Sequence, residues 1–188
     1  MIIVFIGPPF SGKETQTNLL SNKLNIPVFS MGNLIRKAYK EKNKKIIKAY
    51  EEYSMKGKHL PILLKFDLLK KEIDKADNNF ILDNFPANKE DLITFEIYLK
   101  ERNLSIHKVF YLNILEDEMR KRFTIRGRKD DDFEVVKKRR DIQDRERTFV
   151  INYFKEMGIL VEVNGKGDIE EIQEKIFLEL NSSKWWLI

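Results

Sequence analysis

The residues best suited to chemistry lie at the start of the chain, where Gly7 to Lys13 read Gly-Pro-Pro-Phe-Ser-Gly-Lys. This run matches all but the last element of the phosphate-binding pattern Gly-x-x-x-x-Gly-Lys-Ser/Thr. In such a loop, backbone N–H groups surround an anion and the positive end of the next helix faces it. The Lys13 ammonium adds a full charge for the outer phosphates. The segment therefore predicts a nucleotide-binding site.

The last element of the pattern is altered. Glu14 stands where a Ser/Thr hydroxyl normally contacts Mg²⁺, and Thr15 follows directly. A carboxylate beside a bound triphosphate repels it unless the carboxylate turns outward or reaches the metal through water. Phe10 occupies a position that the pattern leaves free. The loop is thus expected to bind phosphate with a changed metal contact.

A strand and a helix flank the loop in the order that such a site requires. Ile2 to Ile6 is an unbroken apolar run, short enough for a strand that is buried on both faces. Apolar residues at helical spacing follow the loop between Gln16 and Leu24. This strand–loop–helix context makes the motif far more specific than the pattern alone.

Strands and helices alternate along the remaining sequence, which favours an α/β fold with a parallel, doubly wound sheet and ligands at the carboxyl ends of the strands. Further strands are predicted at 26–29, 79–83, 108–113 and 159–163. The next helix is predicted to start after a Ser30 cap, with Arg36 inside it, and residues 37–56 are predicted to be helical. A helix at 62–73 carries Leu63, Phe66, Leu69 and Ile73 on one apolar stripe, its predicted buried face. Further helices are predicted at 89–102, 116–125, 133–156 and 168–180. The apolar end of the chain, residues 185–188, is interpreted as a tail docked on the body.

The composition is that of an ordinary globular chain with a surplus of positive charge. Its 188 residues are 42% hydrophobic and 35% charged, and the formal net charge is +5. Such a surplus suits an anionic partner, either a nucleotide in a basic site or a nucleic acid. Because the sequence has no RNA-binding signature and no sustained basic tail, we expect a nucleotide and no nucleic acid.

Cysteine usage and hydropathy narrow the class of protein. The chain has no cysteine, so it has no disulfide framework and no cysteine-ligated metal. Its apolar runs are far shorter than the ~18 residues that a membrane-spanning helix needs. We therefore expect a soluble, cytoplasmic protein without a membrane partner.

Together these motifs resemble the adenylate kinase family of nucleoside monophosphate (NMP) kinases over nearly the whole chain. Residues 7–16 are similar to that family's G-x-P-G-S-G-K-G-T-Q loop, with Phe10 and Glu14 in place of glycines. Residues 30–36 resemble its S-T-G-D-L-L-R segment, and residues 57–61 resemble its G-x-x-V-P turn. Residues 83–86 look like its D-G-F-P turn.

The resemblance implies a P-loop NTPase fold of three α/β/α layers around a parallel five-stranded sheet. It implies one domain, 1–188, with an NMP-binding helical segment at 30–61 and a short lid at 123–131. The core then comprises residues 1–29, 62–122 and 132–188. Residues 126–131, followed by Arg139, resemble the lid and the helix behind it. The lid lacks cysteines for zinc.

The activity implied by the resemblance is ATP + NMP ⇌ ADP + NDP, with Mg²⁺, without zinc, by a monomer. The implied catalytic residues are Lys13, Arg122, Arg128 and Arg139, and Asp83 is expected to hold the water shell of Mg²⁺. The implied ATP-binding residues are Gly7, Phe10, Ser11, Gly12, Lys13, Glu14, Thr15, Arg122 and Arg126. The implied NMP-binding residues are Met31, Arg36, Lys58, His59, Leu60, Asn84, Ala87, Asp91, Arg128 and Arg139.

Arginine suits these roles because its planar guanidinium binds phosphate oxygens in pairs and stays charged. Phosphoryl transfer needs the transferring group to be held and its charge neutralised while water is excluded. Arg122 and Arg126 lie one helical turn apart, and Asp130 and Asp131 can orient the arginines beside them. Closure of the lid and of the NMP-binding segment would exclude water.

The acceptor side departs from the family pattern. Ala87 replaces an arginine that clamps the α-phosphate, and Met31 replaces a threonine that faces the base. Asp91 stands where a base-reading glutamine is expected, Asn33 replaces an aspartate, and Asn84 replaces a glycine. Losing one charge-assisted hydrogen bond costs ~1.5–3 kcal/mol, at least about tenfold in affinity or rate. These changes leave the acceptor base open between AMP and a pyrimidine monophosphate.

Three functions are compatible with this sequence. The first is a working NMP kinase that uses AMP or, as the weak likeness of residues 88–92 to a UMP/CMP kinase motif suggests, UMP or CMP. The second is a degenerate, catalytically weak relative that binds nucleotides, which Glu14 and Ala87 would favour. The third is a basic ATPase-like protein associated with nucleic acid, which a steep salt dependence of RNA binding would reveal.

Overall fold

Five parallel strands form one sheet in the order β2-β3-β1-β4-β5 in a computed structural model that describes residues 1–126 and 133–182. The strands are β1 (Ile2–Ile6), β2 (Val28–Ser30), β3 (Phe80–Asp83), β4 (Lys108–Asn113) and β5 (Leu160–Asn164). Every neighbouring pair is parallel, with Val4 opposite Leu82 of β3 and Val109 of β4. The predicted parallel five-stranded sheet is confirmed.

Helices connect the strands, as parallel pairing requires. They are α1 (Lys13–Leu24), α2 (Met31–Lys40), α3 (Lys44–Glu52), α4 (Ile62–Ile73), α5 (Lys89–Glu101), α6 (Glu116–Arg126), α7 (Phe133–Glu156) and α8 (Ile169–Ser182), with a 3₁₀ turn at Ser54–Lys56. No helix within the described ranges has both the length and the apolar character needed to cross a bilayer.

Alternation of side chains along β1 divides the core into two layers. Ile2, Val4 and Ile6 pack on one face of the sheet, in a buried cluster that receives residues of α4, α5 and α7. Ile3 and Phe5 pack on the other face with residues of α1 and α8. Since strand side chains alternate between faces, one apolar run supplies both layers. The predicted three-layer α/β/α architecture is confirmed.

The order of the strands places a crevice at the carboxyl end of β1. The chain runs from β1 to β2 and β3 on one side, and then crosses to β4 and β5 on the other. Ligands of open α/β sheets bind where the direction of winding reverses, outside the carboxyl ends of the strands. The segments that follow β1, β3, β4 and β5 all meet at this edge.

The single helix predicted at 37–56 is wrong, because the structure divides this stretch. Helix α2 ends at Lys40, Lys42 adopts a left-handed backbone with φ of 58°, and α3 begins at Lys44. The Asn43 side chain accepts hydrogen bonds from the amides of Lys45 (3.1 Å) and Ile46 (3.2 Å). Asparagine is among the best helix N-caps, so it starts a new helix here.

The buried face predicted for α4 also needs correction. Leu69 and Ile73 are buried as expected, but Leu63 is 79% exposed. Lys65, one turn before Leu69, is buried instead with 2% exposure. A charged side chain on the inner face of a helix needs a partner in the interior. For Lys65 this partner is the carboxylate of Asp91.

Two parts of the predicted organisation remain predictions. Residues 123–126 of the expected lid form the end of α6, and residues 127–131 lie outside the described residues. The tail at 185–188 lies outside them as well. Residues 31–60 do have a buried cluster of their own, formed by Ala38, Ile46, Ala49 and Leu60.

Candidate active site

The phosphate-binding loop leaves β1 and enters α1 at Lys13. A Cβ atom at Gly7 would lie 2.2 Å from the carbonyl oxygen of Leu112 on β4, so only glycine fits there. Gly12, just before the helix, has a left-handed backbone with φ of 93°, and Ser11 is 1% exposed. The loop is therefore packed against the sheet and aims the helix N-terminus into the crevice, as the motif predicts.

The Lys13 ammonium lies over its own loop. It donates to the carbonyl oxygens of Gly7 (2.9 Å) and Pro8 (2.8 Å) and approaches the hydroxyl of Ser11 at 3.4 Å. Burial lowers the pKa of Lys13 to about 8, and the nearby carboxylate of Asp83 opposes this shift. Near neutral pH the group is a cation that a phosphate oxygen can draw from the loop carbonyls.

Phe10 fits the loop at a backbone cost. Its φ is 62°, a left-handed conformation that costs roughly 1–2 kcal/mol for a residue with a side chain. Its ring packs edge-on against Phe123 of α6, with ring centroids 5.7 Å apart. Ile114 and Met119 belong to the same cluster. The aromatic contact thus ties the phosphate-binding loop to α6, where the family pattern has only a flexible glycine.

Glu14 and Thr15 lie in the first turn of α1, and both are exposed. The Glu14 carboxylate raises the pKa of Lys13, so its charge acts on the same site. A carboxylate in the first turn also stabilises the helix through its dipole. Glu14 therefore stabilises α1 but disfavours the binding of an anion at its N-terminus.

The guanidinium of Arg122 joins three elements around the loop. Its Nη1 donates to the carbonyl oxygen of Phe10 (3.1 Å), and its Nη2 donates to that of Gly165 after β5 (2.6 Å). Its Nε donates to Glu118 on the same helix (2.8 Å). The group is thereby fixed beside the helix N-terminus, 3.5 Å from the Cβ position of Gly12.

Asp83 ends β3 next to the loop and is 7% exposed. Burial raises the pKa of its carboxyl, while Lys13 and the Ser30 hydroxyl oppose that rise. Its Oδ1 has no hydrogen-bond partner among the described residues. A buried carboxylate oxygen without a donor is a group that a cation would stabilise.

Residues 31–60 form the acceptor side of the crevice. Met31 and Leu60 are buried, whereas Arg36 and Lys58 are exposed. The Arg36 guanidinium donates to Asn33 on the same helix. His59 is largely buried, which lowers its pKa to about 3 and keeps the imidazole neutral.

Helix α7 contacts this acceptor segment at two points. Arg139 donates from Nη2 to the carbonyl oxygen of Ser54 (3.5 Å), and its Cα lies 3.3 Å from the Cβ position of Gly57. The Nε2 atom of His59 lies 3.3 Å from a carboxylate oxygen of Glu146. These contacts show that the acceptor segment lies against α7.

The turn after β3 forms the floor of the acceptor side. Asn84 has a φ of 61°, a left-handed conformation that asparagine tolerates well, so it can replace the expected glycine. Ala87 is 3% exposed, and its amide donates to the carboxylate of Asp91 (3.1 Å). Asp91 also forms a buried ion pair with Lys65, at 2.5 Å.

The structure brings Lys13, Arg122 and Asp83 together at the carboxyl edge of the sheet. It places Arg139 and His59 where α7 meets the acceptor segment. Asp91 lies beneath the turn, where its charge is already paired. The side chain of Arg126 and all of Arg128 lie outside the described residues. Within residues 1–126 and 133–182, no group of three or more His, Asp and Glu side chains is placed to hold a metal ion.

Sequence reasoning missed two buried cations near this site, Lys65 and Arg147, which are 2% and 1% exposed. Lys65 was not singled out from the sequence, although its spacing from Leu69 and Ile73 places it on their buried face. Arg147 belongs to an arginine-rich stretch that reads as a solvated helix surface. Its spacing of three residues from the buried Val150 was the available signal.

Comparisons with known proteins agree with this geometry. The chain matches the family model described as adenylate kinase over residues 5–159. An adenylate kinase of Azobacteroides pseudotrichonymphae genomovar. CFP2 is 35% identical over 186 residues, covering 96% of this chain and 97% of that protein. One from Corynebacterium urealyticum is 33% identical over 183 residues, covering 96% and 99%. One from Bifidobacterium longum is 32% identical over 186 residues, covering 96% and 100%.

These matches span both the phosphate-binding loop and the acceptor segment, and the parallel sheet with its flanking helices is the fold that the motifs implied. They confirm the resemblance inferred from the sequence. The chain belongs to the adenylate kinase family, and it is accordingly a phosphotransferase of the nucleoside monophosphate kinase class.

Proposed function

We propose that this protein transfers the γ-phosphate of Mg·ATP to AMP. The observation that carries the proposal is the convergence of the Lys13 ammonium, the Arg122 guanidinium and the Asp83 carboxylate at the N-terminus of α1. The relatives are named adenylate kinase, which supports AMP as the acceptor. The acceptor segment and α7 carry further arginines, Arg36 and Arg139, for the acceptor phosphate.

On the donor side, the amides of the loop and the α1 dipole would bind the phosphates of ATP. Lys13 would leave the carbonyls of Gly7 and Pro8 and neutralise charge between the β- and γ-phosphates. Arg122 is already fixed beside the loop, so its position costs little reorganisation during the reaction. Arg126 is proposed to assist it.

Magnesium is the metal that the family resemblance implies, and Asp83 fits it. The carboxylate is a hard oxygen donor, and its buried Oδ1 has no partner among the described residues. Asp83 would hold the water shell of the ion, which would shield the negative charge of the triphosphate. The Thr15 and Glu14 side chains at the start of α1 are exposed toward solvent rather than packed in the core.

On the acceptor side, Arg36 and Arg139 are the described arginines proposed to hold the monophosphate, and Arg128 is proposed to join them. Transfer requires donor and acceptor oxygens to be aligned while water is excluded. The contacts of His59 and Arg139 between the acceptor segment and α7 support closure of this side of the crevice.

A coupled ADP-release assay with Mg·ATP tests the proposal, with AMP, UMP, CMP, GMP and dTMP offered in turn. We expect turnover with AMP well above the rate without acceptor. Preference for UMP or CMP would keep the kinase class and change the acceptor. Absence of turnover with all five, alongside measurable ATP binding, would overturn the proposal in favour of a nucleotide-binding relative. Neither the comparisons nor the described part of the site favours that alternative.

A further inference from the structure

Arg147 is the most deeply buried arginine of the described residues, with 1% exposure. It lies on α7, where its Nη1 donates to the carboxylate of Asp144. Its Nε is buried and has no hydrogen-bond partner among the described residues. A buried guanidinium with an unsatisfied donor is costly for folding, so its position calls for an explanation beyond packing.

The charge around Arg147 is only partly balanced. Asp144 is shared with Arg140, whose Nε lies 3.2 Å from the other carboxylate oxygen. One carboxylate thus serves two guanidiniums, and it is itself 38% exposed. Burial lowers the pKa of Arg147 in spite of this partner. The pair of arginines therefore retains an excess of positive charge on the inner face of α7.

The helix directs this excess toward the carboxyl edge of the sheet. Arg140, seven residues earlier and on the same face of α7, donates from Nη2 to the carbonyl oxygen of Ile114 just after β4 (2.7 Å). Val150 and Phe154, one and two turns after Arg147, are in the core beneath the sheet. Arg147 therefore lies on the side of α7 that faces the sheet, between the core residues Val150 and Phe154 and the carboxyl edge of the sheet.

Arg147 is near enough to both halves of the site for its charge to act on each of them. Its charge lowers the pKa of Lys13 in the phosphate-binding loop and that of His59 in the acceptor segment. The neighbouring residue, Glu146, is contacted by His59 at 3.3 Å. The acceptor segment thus contacts α7 at the residue next to Arg147.

The same region borders the turn that lacks its expected arginine. The Ala87 amide is bonded to Asp91, and Asp91 is paired with Lys65. The charge of Lys65, like that of Arg147, acts on His59. The side chain of Ala87 cannot bind the acceptor phosphate as the family's arginine does. A guanidinium of α7 could bind that phosphate instead.

Resting on the proposed function, we propose that Arg147 binds the phosphate of the acceptor nucleotide, in place of the arginine that is absent at position 87. Arg140 and Arg147 share a single carboxylate, so one positive charge remains unbalanced. The negative charge of an acceptor phosphate would balance it. The planar guanidinium can also donate to two phosphate oxygens at once. The site would thus keep its phosphate clamp on a different element of the fold.

The test uses Arg147→Met and Arg147→Lys, with Arg145→Ala as a matched control on the exposed face of the same helix. We expect Arg147→Met to raise the KM and Kd for AMP at least about tenfold, while the Kd for ATP stays within about twofold. Arg147→Lys keeps the charge without the planar fork, so it should weaken AMP binding less. Arg145→Ala should match the wild type.

A reciprocal variant separates the phosphate role from a structural one. Adding Ala87→Arg to Arg147→Met should restore part of the AMP affinity if both positions serve the same phosphate. Thermal unfolding and ATP binding are measured on every variant, since a folded protein must retain both. Should Arg147→Met fail to fold, the AMP-induced rise in melting temperature of Arg147→Lys, compared with Arg145→Ala, carries the test.

The inference is overturned if Arg147→Met, or Arg147→Lys where the former does not fold, binds AMP as tightly as Arg145→Ala. Equal weakening of AMP and ATP binding would also overturn it, by assigning Arg147 a general structural role. Calorimetric binding of AMP needs no turnover, so it separates this inference from the proposed function. A wild type that binds AMP without producing ADP would refute the kinase proposal alone, whereas one that does not bind AMP would refute both.

Discussion

The ammonium of Lys65 lies 2.5 Å from the carboxylate of Asp91, and both side chains are at most 2% exposed. The pair joins α4, which follows the acceptor segment, to α5, which follows the turn after β3. The second carboxylate oxygen of Asp91 accepts the amide of Ala87 at 3.1 Å. Asp91 was expected to face the nucleotide base, and this geometry favours a supporting role for it beneath the site.

Breaking this pair from one side should be strongly destabilising. Lys65→Met leaves a buried carboxylate without its cation, and Asp91→Asn leaves a buried ammonium, so each should cost about 3–5 kcal/mol of unfolding free energy. The double variant should recover most of this loss, because the asparagine oxygen can still accept the Ala87 amide. Urea unfolding of the four proteins gives the coupling energy.

An exposed ion pair serves as the control for that cycle. Lys71 and Asp67 lie 2.9 Å apart on α4, with side chains 62% and 66% exposed. Exposed pairs of this kind contribute under about 1 kcal/mol. If the coupling energy of Lys65–Asp91 is no larger than that of this exposed pair, the buried pair does not stabilise the turn after β3.

Removal of the Lys13 charge should abolish most turnover without unfolding the protein. Among the described residues the ammonium hydrogen-bonds only to its own loop, and its burial as a cation disfavours folding, so Lys13→Met should not lower the melting temperature. Loss of a charge aimed at the transferring phosphate should lower kcat by at least about a hundredfold. Steady-state kinetics with Mg·ATP and AMP would measure it, and retained activity would remove the loop from the mechanism.

Binding of ATP should weaken as the pH rises through about 8, where the Lys13 ammonium of the free protein loses its proton. We expect calorimetric titrations between pH 7 and 9.5 to show this fall. Lys13→Arg, which stays charged over this range, should show a much flatter profile. The same fall in both proteins would assign the pH dependence to another group.

Lys13 should also make the folded protein more stable as the pH rises, whereas ATP binding weakens over the same rise in pH. Its pKa is about 8 in the folded protein, against 10.5 in the unfolded chain. Between these values the unfolded chain binds more protons, so the contribution of Lys13 to the unfolding free energy rises with pH. Below about pH 8 its burial disfavours folding. Denaturant unfolding of the wild type and of Lys13→Met at several pH values above about 8 measures this contribution. It is the pH-dependent part of the difference in unfolding free energy between the two proteins.

Glu14→Gln should bind Mg·ATP about fivefold more tightly, since it removes about 1 kcal/mol of repulsion between the carboxylate and the triphosphate. The difference should shrink in high salt, which screens exposed charges. The variant should also lose about 0.3–1 kcal/mol of stability, because the carboxylate no longer complements the α1 dipole. Weaker ATP binding would instead indicate that Glu14 reaches the metal through water.

The sequence determined the elements that depend on local order along the chain. An apolar run, two glycines and a lysine specified the strand, the loop and the start of α1, because each depends on near neighbours. The alternation of strands and helices specified a parallel sheet. The division of residues 37–56 into two helices was missed, since the N-cap at Asn43 was hidden within a lysine-rich amphipathic stretch.

Only the tertiary structure decided how charges from distant segments are paired. Arg140, Asp144 and Arg147 lie in a run of charged residues and look like solvated surface residues in the sequence. Lys65 lies in an apolar stretch and Asp91 at a position expected to bind the acceptor nucleotide, and the sequence does not show that the two form a pair. Three helices fold these side chains against the carboxyl edge of the sheet, where water no longer screens them. The sequence by itself thus determined the family and the donor loop. The partners of the buried charges beneath the acceptor side depend on contacts between residues far apart in the chain, and only the folded structure decided them.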